Sequence, residues 1–274
     1  MRLRTFALAI GLLGATTAVA QVVTTEPSSD ASPELRSCIE QMISIFENET
    51  PSLDYDVVDD LNDGRGYTAG RSGFTSKEGD LLEVTEVYGR MRPNNVLSVF
   101  IPTLKDRKGT ASTEGLEGLP AAWKEATADP LFRQAQDQVS DKLYYNPAMQ
   151  EVNALHLRSP LAKLALYDAM IQHGVGEDPD SFGGIIRAAT RAAQGPPAQT
   201  GEEKWLMAFL TARKEVLLNS RDPDNRAAWQ ASVGRVDEQI RLLNEGNLQL
   251  SSPLTVNPNG TAFTINCATP ASAP

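Results

Sequence analysis

The apolar positions of this chain first fall into step at residues 35, 39, 42, 43 and 46, a spacing that predicts an amphipathic helix. Ser32-Pro33 opens it with a capping hydroxyl and a proline at the first helical position. Glu47 continues the row of Ile39 and Ile43, so its carboxylate is expected to leave the helix near the apolar face. The period then changes. Residues 53–75 place Tyr55, Val57, Val58, Tyr67 and Phe74 between glycines, which predicts a small irregular sheet with tight turns. From Gly79 onward the pattern is helical, beginning with Leu81, Leu82, Val84, Val87 and Tyr88. Further helices are predicted near 95–105, 120–127, 130–143, 147–156, 160–173, 181–194, 202–219 and 224–244, punctuated by Gly174, Gly183-Gly184, Gly195-Pro196-Pro197 and Asp222-Pro223. A short hairpin is expected at 254–265 around Asn257-Pro258-Asn259-Gly260. No internal repeat or heptad run interrupts this order.

The ends read differently. Met1-Arg2-Leu3-Arg4, the apolar run Phe6–Leu13 and Ala18-Val19-Ala20 have the layout of a signal peptide over residues 1–20. Residues 21–33 are polar and rich in Ser, Thr and Pro, a flexible leader, and residues 268–274 read as a disordered tail. Between them, residues 34–267 are long enough for a single catalytic domain of two lobes. No later stretch is long and apolar enough to span a bilayer, so no membrane association is expected after signal cleavage. Loss of residues 1–20 removes two arginines and takes the net charge from −10 to −12. Such a surface repels nucleic acid and anionic lipid and favours cationic partners, a polyamine sugar among them. Cys38 and Cys267, an even count in an exported chain, suggest a disulfide. Two cysteines and two histidines that far apart make no zinc site, and no phosphate-binding, dinucleotide or nucleophile-elbow motif is present. No metal or cofactor is expected.

Chemistry concentrates on Glu47 and on the run Asp63-Gly64-Arg65-Gly66-Tyr67-Thr68-Ala69-Gly70-Arg71-Ser72-Gly73-Phe74. Glycosidic cleavage usually needs two carboxyl groups, one kept protonated by apolar surroundings and one kept ionised by cations and hydrogen bonds. Glu47 beside Phe46 suits the acid, and Asp63 beside Arg65 and glycine amides suits the base. Taken alone, the same residues also read as a helix-end glutamate and an Asx-turn aspartate.

Asp63–Phe74, followed by Gly79-Asp80-Leu81-Leu82-Glu83, resembles the catalytic segment of the chitosanases of glycoside hydrolase family 46. The likeness continues through Tyr167-Asp168-Ala169 with His173-Gly174, Asp178-Pro179 with Ser181-Phe182-Gly183-Gly184-Ile185, Phe209-Leu210 with Ala212-Arg213-Lys214, Arg235-Val236-Asp237 and Gly246-Asn247-Leu248, over roughly residues 35–265. The resemblance implies an α+β, mainly α, two-lobed lysozyme-like fold whose small irregular β-sheet flanks a substrate cleft. With the signal layout, it implies a secreted, extracellular, monomeric enzyme that cleaves β-1,4 bonds of chitosan internally, with inversion; the alternative is a lysozyme-like hydrolase of chitin or peptidoglycan, or a non-catalytic chitosan-binding protein. Glu47 resembles the general acid, Asp63 the general base, and Thr68 a residue holding the attacking water. Arg65 and Asp80 resemble substrate-binding residues, while Asp168, Arg213 and Arg235 resemble a supporting charge network. Asp54, Asp56, Asp59 and Asp60 are expected to add negative charge for a cationic substrate.

The chain departs from the family in two places. Glu47 and Asp63 are only 16 positions apart, a short connection that leaves Glu49 as an alternative acid. Ser220 stands where the network is expected to hold a glutamate, so the network is expected to be reduced or rebuilt. His173 reads as a structural histidine, His156 has no assigned role, and Trp123, Trp205 and Trp229 read as core.

Overall fold

The computed structural model describes residues 32–267, so the signal segment, almost all of the leader and the tail at 268–274 lie outside the described residues. In chain order the elements are α1 (Pro33–Asn48), β1 (Val58–Asp60), β2 (Tyr67–Ala69), β3 (Phe74–Thr75), α2 (Asp80–Met91), α3 (Ile101–Arg107), α4 (Leu119–Ala126), α5 (Pro130–Ser140), α6 (Asn146–Ala154), α7 (Pro160–His173), α8 (Phe182–Ala193), α9 (Pro197–Thr200), α10 (Glu202–Leu218), α11 (Pro223–Ala231), α12 (Val233–Asn244), β4 (Leu254–Val256) and β5 (Phe263–Ile265). They form two compact units. One runs to Ser52 and resumes at Asn146; the other is Leu53–Tyr145.

The discontinuous unit is built on α7. Its sequence is apolar nearly all round, the pattern of a helix buried on every side. α1, α6, α8, α10 and α12 all pack on it. Ser32 caps α1 by accepting from the Leu35 amide at 3.2 Å, and Ser159 caps α7 by accepting from the Ala162 amide at 3.1 Å. The β4–β5 hairpin pairs Leu254 with Ile265 and Val256 with Phe263. A disulfide joins Cys38 on α1 to Cys267 just after β5, both buried. It closes a loop of 229 residues, worth about 5 kcal/mol on the chain-entropy picture.

The continuous unit places the antiparallel sheet β1-β2-β3 beside α2 and α4, with α5 packed on α2. Trp123, Phe132, Phe74, Leu81 and Leu104 fill its core without exposure. The Trp123 indole donates to the Tyr55 carbonyl at 2.9 Å, so the buried ring leaves no orphan donor. Trp205 and Trp229 are likewise interior to the other unit, as the pattern predicts.

Three helix boundaries differ from the sequence expectation. The segment 224–244 is two helices, α11 and α12. Ser232 turns its hydroxyl and amide back to the Trp229 carbonyl at 2.8 and 3.0 Å. Gly234 then passes so near the hairpin that a Cβ there would lie 1.7 Å from the Pro258 carbonyl oxygen. The segment 95–105 starts as a 3-10 turn at Ser98–Phe100 and becomes α-helical only at Ile101. The helices predicted at 130–143 and 147–156 run into one another through a π turn at Asp141–Tyr145.

Candidate active site

In the discontinuous unit, the last turn of α1 carries Glu47 with its side chain only 10% exposed. Arg235 on α12 donates from Nη1 to Glu47 Oε1 at 2.5 Å and from Nη2 to the Phe46 carbonyl at 2.7 Å, gripping the end of α1 twice. The same Nη1 reaches Asp168 Oδ1 on α7 at 3.1 Å. The other Asp168 oxygen accepts from Arg213 Nη1 on α10 at 2.5 Å and from Gln239 Nε2 at 2.7 Å. Arg213 Nη2 donates to Gln172 Oε1 at 2.6 Å, and the Gln172 amide donates to Ser232 Oγ at 2.6 Å. His173 closes the group. Its Nδ1 meets the Asp180 carbonyl at 3.0 Å and so must donate, which leaves Nε2 to accept from Arg213 Nε at 3.4 Å.

Two carboxyl groups and two guanidinium groups therefore share one interior, the pairing buried charge requires. Burial pushes the Glu47 carboxyl above its ordinary value, and the opposing charge of Arg235 does not cancel that. Asp168 goes the other way: burial would raise it, but Arg213, Arg235 and Gln239 hold it below. Burial and the neighbouring Arg213 charge keep His173 neutral, with its pKa well below the usual value. Glu49 follows as the left-handed cap of α1, at a φ of 53°, and its carboxylate meets Asn259 at 3.4 Å on the exposed surface. Glu47 is buried among the charged network, whereas Glu49 lies on the surface.

The continuous unit holds Asp63 between β1 and β2. Arg65 forks onto Asp63 Oδ2 through Nε at 2.9 Å and Nη2 at 2.6 Å, while its amide donates to Oδ1 at 3.1 Å. Gly66 makes the turn possible, with φ at +72° and the Ser76 hydroxyl 2.3 Å from where a Cβ would sit. Partial burial alone would raise the Asp63 carboxyl; the bonds and charge of Arg65 outweigh it and leave the pKa lowered. Thr68 on β2 pairs with Asp59 on β1 and Thr75 on β3. It is fully buried, and its Oγ1 has no hydrogen-bond partner among the described residues. Asp80 opens α2. Its Oδ1 accepts from the Thr75 amide at 2.6 Å and the Leu81 amide at 2.9 Å, tying β3 to the helix. Burial raises the Asp80 pKa to about 6 against these two bonds.

The sequence profile of Glycosyl hydrolase family 46 matches residues 41–254. The chain belongs to that family. A chitosanase of Bacillus subtilis (strain 168) is 44% identical over 223 residues, 80% of each chain. A family 46 chitosanase of Gynuella sunshinyii, solved in complex with chitotetraose, superposes with a TM-score of 0.79 at 44% identity, covering 86% of this chain and 99% of that one. A mutant chitosanase of Bacillus subtilis MY002, complexed with 6 GlcN, gives a TM-score of 0.79 at 41% identity and covers 86% of this chain and all of that one. The family 46 fold is the α+β, mainly helical, lysozyme-like one with a small sheet.

Within this family 46 chain, one unit joins Glu47, Asp168, Arg213 and Arg235 in one network; the other carries Asp63 paired with Arg65, and Thr68 and Asp80 each meeting Thr75. Ser220 stays out of the network: its hydroxyl meets the Asp222 backbone at 3.2 and 3.4 Å. The network also includes Gln172 and Gln239, which the sequence reading missed. Each lies four residues after a charged member, Asp168 on α7 and Arg235 on α12, so each pair shares one helix face. Among the described residues no helix is long and apolar enough to cross a membrane, and no cluster of His, Cys, Asp and Glu could hold a metal ion.

Proposed function

We propose that the protein is a secreted endo-acting chitosanase that cleaves β-1,4 bonds between glucosamine units with inversion. The observation that carries this reading is the opposite setting of two carboxyl groups: Glu47 is pushed up by burial and Asp63 is drawn down by Arg65. Carboxyls whose environments drive their pKa values apart divide into an acid and a base. Glu47 protonates the bridging oxygen. Asp63 takes the proton from the attacking water, and the orphaned hydroxyl of Thr68 is suited to hold that water. Arg65 keeps Asp63 ionised. Asp80 spends Oδ1 on two backbone amides and keeps Oδ2 for a substrate ammonium. Asp168, Arg213 and Arg235 support Glu47 from behind.

Family membership and the sugar ligands of the related structures support glucosamine oligomers as substrate. The Cys38–Cys267 bond supports export to an oxidising compartment. The test is release of reducing ends from highly deacetylated chitosan, with chitin and peptidoglycan run in parallel and the product anomer read by proton NMR. Rapid release from chitosan as the α-anomer is expected. Release from chitin or peptidoglycan alone would replace the substrate assignment, and a β-anomer product would overturn inversion.

A further inference from the structure

We propose that Gln239 is a positioning residue that sets how Arg235 divides itself between Glu47 and Asp168, and through that division fixes the proton affinity of Glu47. This rests on the reading of Glu47 as the acid. Arg235 Nη1 serves two carboxylates at once, Glu47 at 2.5 Å and Asp168 at 3.1 Å. A shared donor is a competition: whatever holds Asp168 firmly against Arg235 limits the guanidinium's pull on Glu47. Asp168 cannot hold itself there. Arg213 pulls its Oδ2 toward α10, and Gln239 is the neutral donor on that same oxygen. Gln239 is fully buried and one turn from Arg235 on α12, so it returns Asp168 to the helix that carries Arg235.

The charged and titratable groups bonded into the pair's network are Glu47 from α1, Asp168 and His173 from α7, Arg213 from α10 and Arg235 from α12. Gln239 is the uncharged member that touches Asp168. Its loss leaves every formal charge in place and changes only geometry. Asp168 is then drawn toward Arg213, Arg235 turns to Glu47, and the acid is weakened.

The experiment is a carbon-13 NMR titration of the Glu47 carboxyl in the parent, in Gln239→Met and in Gln239→Glu. In the methionine variant the Glu47 titration is expected to move to lower pH, with the alkaline limb of kcat/KM following it and KM unchanged. Turnover at neutral pH is expected to fall on the order of 10-fold to 100-fold, as for a misplaced group behind a reacting one. In the glutamate variant a protonated carboxyl donates to Asp168 as the amide does, so Glu47 titrates as in the parent at acid pH. An unmoved Glu47 titration in the methionine variant, with only a lower Tm, overturns the proposal. Should that variant fail to fold, a glutamate variant whose turnover is equally depressed at acid and neutral pH overturns it too. The reading of Glu47 fails separately, if Glu47→Gln still hydrolyses chitosan.

Discussion

Arg235 holds Glu47 through a single guanidinium nitrogen that it also offers to Asp168, and both contacts are interior to the protein. A lone buried cation would ionise Glu47 outright. A cation already committed to a second carboxylate pulls less on Glu47, and burial leaves the carboxyl raised above its ordinary value near 4.5. Desolvation raises the proton affinity of Glu47, and the shared Arg235 contact limits how far it rises.

Glu47→Gln is therefore expected to separate function from stability. The folded protein binds the Glu47 proton more tightly than the unfolded chain does. The stability this supplies is full below about 4.5 and is lost as pH rises through the folded value. Glutamine stays neutral throughout and lacks that loss. Turnover on chitosan should drop by about 100-fold to 10,000-fold. Calorimetry from about pH 4 to about pH 8 should show the Tm difference moving in the variant's favour as pH rises. Near-normal hydrolysis by the variant would remove Glu47 from the acid's role.

Arg65→Ala addresses the other carboxyl. The fork onto Asp63 is part-exposed, so its loss should cost no more than about 1 kcal/mol of stability. Its effect on protonation has a definite sign: without the cation the Asp63 pKa rises, and a base must be ionised to act. The acidic limb of kcat/KM is expected to move to higher pH, while the alkaline limb stays put. Arg65→Lys should recover part of the shift, since an ammonium keeps the charge but not the two-pronged geometry. An acidic limb that ignores both variants would mean that Asp63 is not the titrating base.

Asp80→Asn tests whether its charge or its backbone bonds matter. The asparagine carbonyl can still accept from the Thr75 and Leu81 amides, so the junction of β3 and α2 should survive. What is lost is negative charge, present in the parent above about pH 6. On soluble glucosamine oligomers, KM should rise several-fold above that pH with kcat little changed, and because Asp80 is largely buried, added salt should narrow the gap only slightly. Equal KM values at low ionic strength would leave Asp80 as a helix anchor alone.

Local signals accounted for much of the fold. Ser32-Pro33 marked the start of α1, Asn257-Pro258-Asn259-Gly260 marked the β4–β5 hairpin, and apolar spacing located α2, α7, α8 and α10. The break between α11 and α12 was not legible, because no breaker residue marks it: Ser232, which turns back to the Trp229 carbonyl, reads as an ordinary helix position. The π turn at Asp141–Tyr145 was hidden as well: the sequence reads as one helix ending at 143 and another starting at 147, with nothing to show that a π turn joins them. In the site, the charged residues and Thr68 announced themselves, and the neutral amides did not. Gln172 and Gln239 look like ordinary helix formers until Asp168 and Arg213 are seen against them.

Two glycine substitutions should move stability in opposite directions. A Cβ at Gly184 would lie 1.9 Å from the Asp178 carbonyl oxygen and 2.8 Å from both the Asp178 carbonyl carbon and the Pro179 Cα. These are backbone atoms, so no rotamer change relieves the contact, and the 178–181 turn must lift off α8. That turn presents the Asp180 carbonyl to His173, whose other nitrogen accepts from Arg213. Gly184→Ala is expected to cost about 1–3 kcal/mol and to lower turnover as well, through Arg213 and Asp168. Gly89 lies inside α2, and a Cβ there meets only Ile101 Cδ1 at an ordinary 3.8 Å. Gly89→Ala removes backbone freedom from the unfolded chain at no steric cost and should gain up to about 1 kcal/mol with turnover unchanged. Denaturant unfolding of both variants beside a chitosan assay checks the pair. A Gly184→Ala protein as stable and active as the parent would show that the turn yields freely and that His173 does not depend on it.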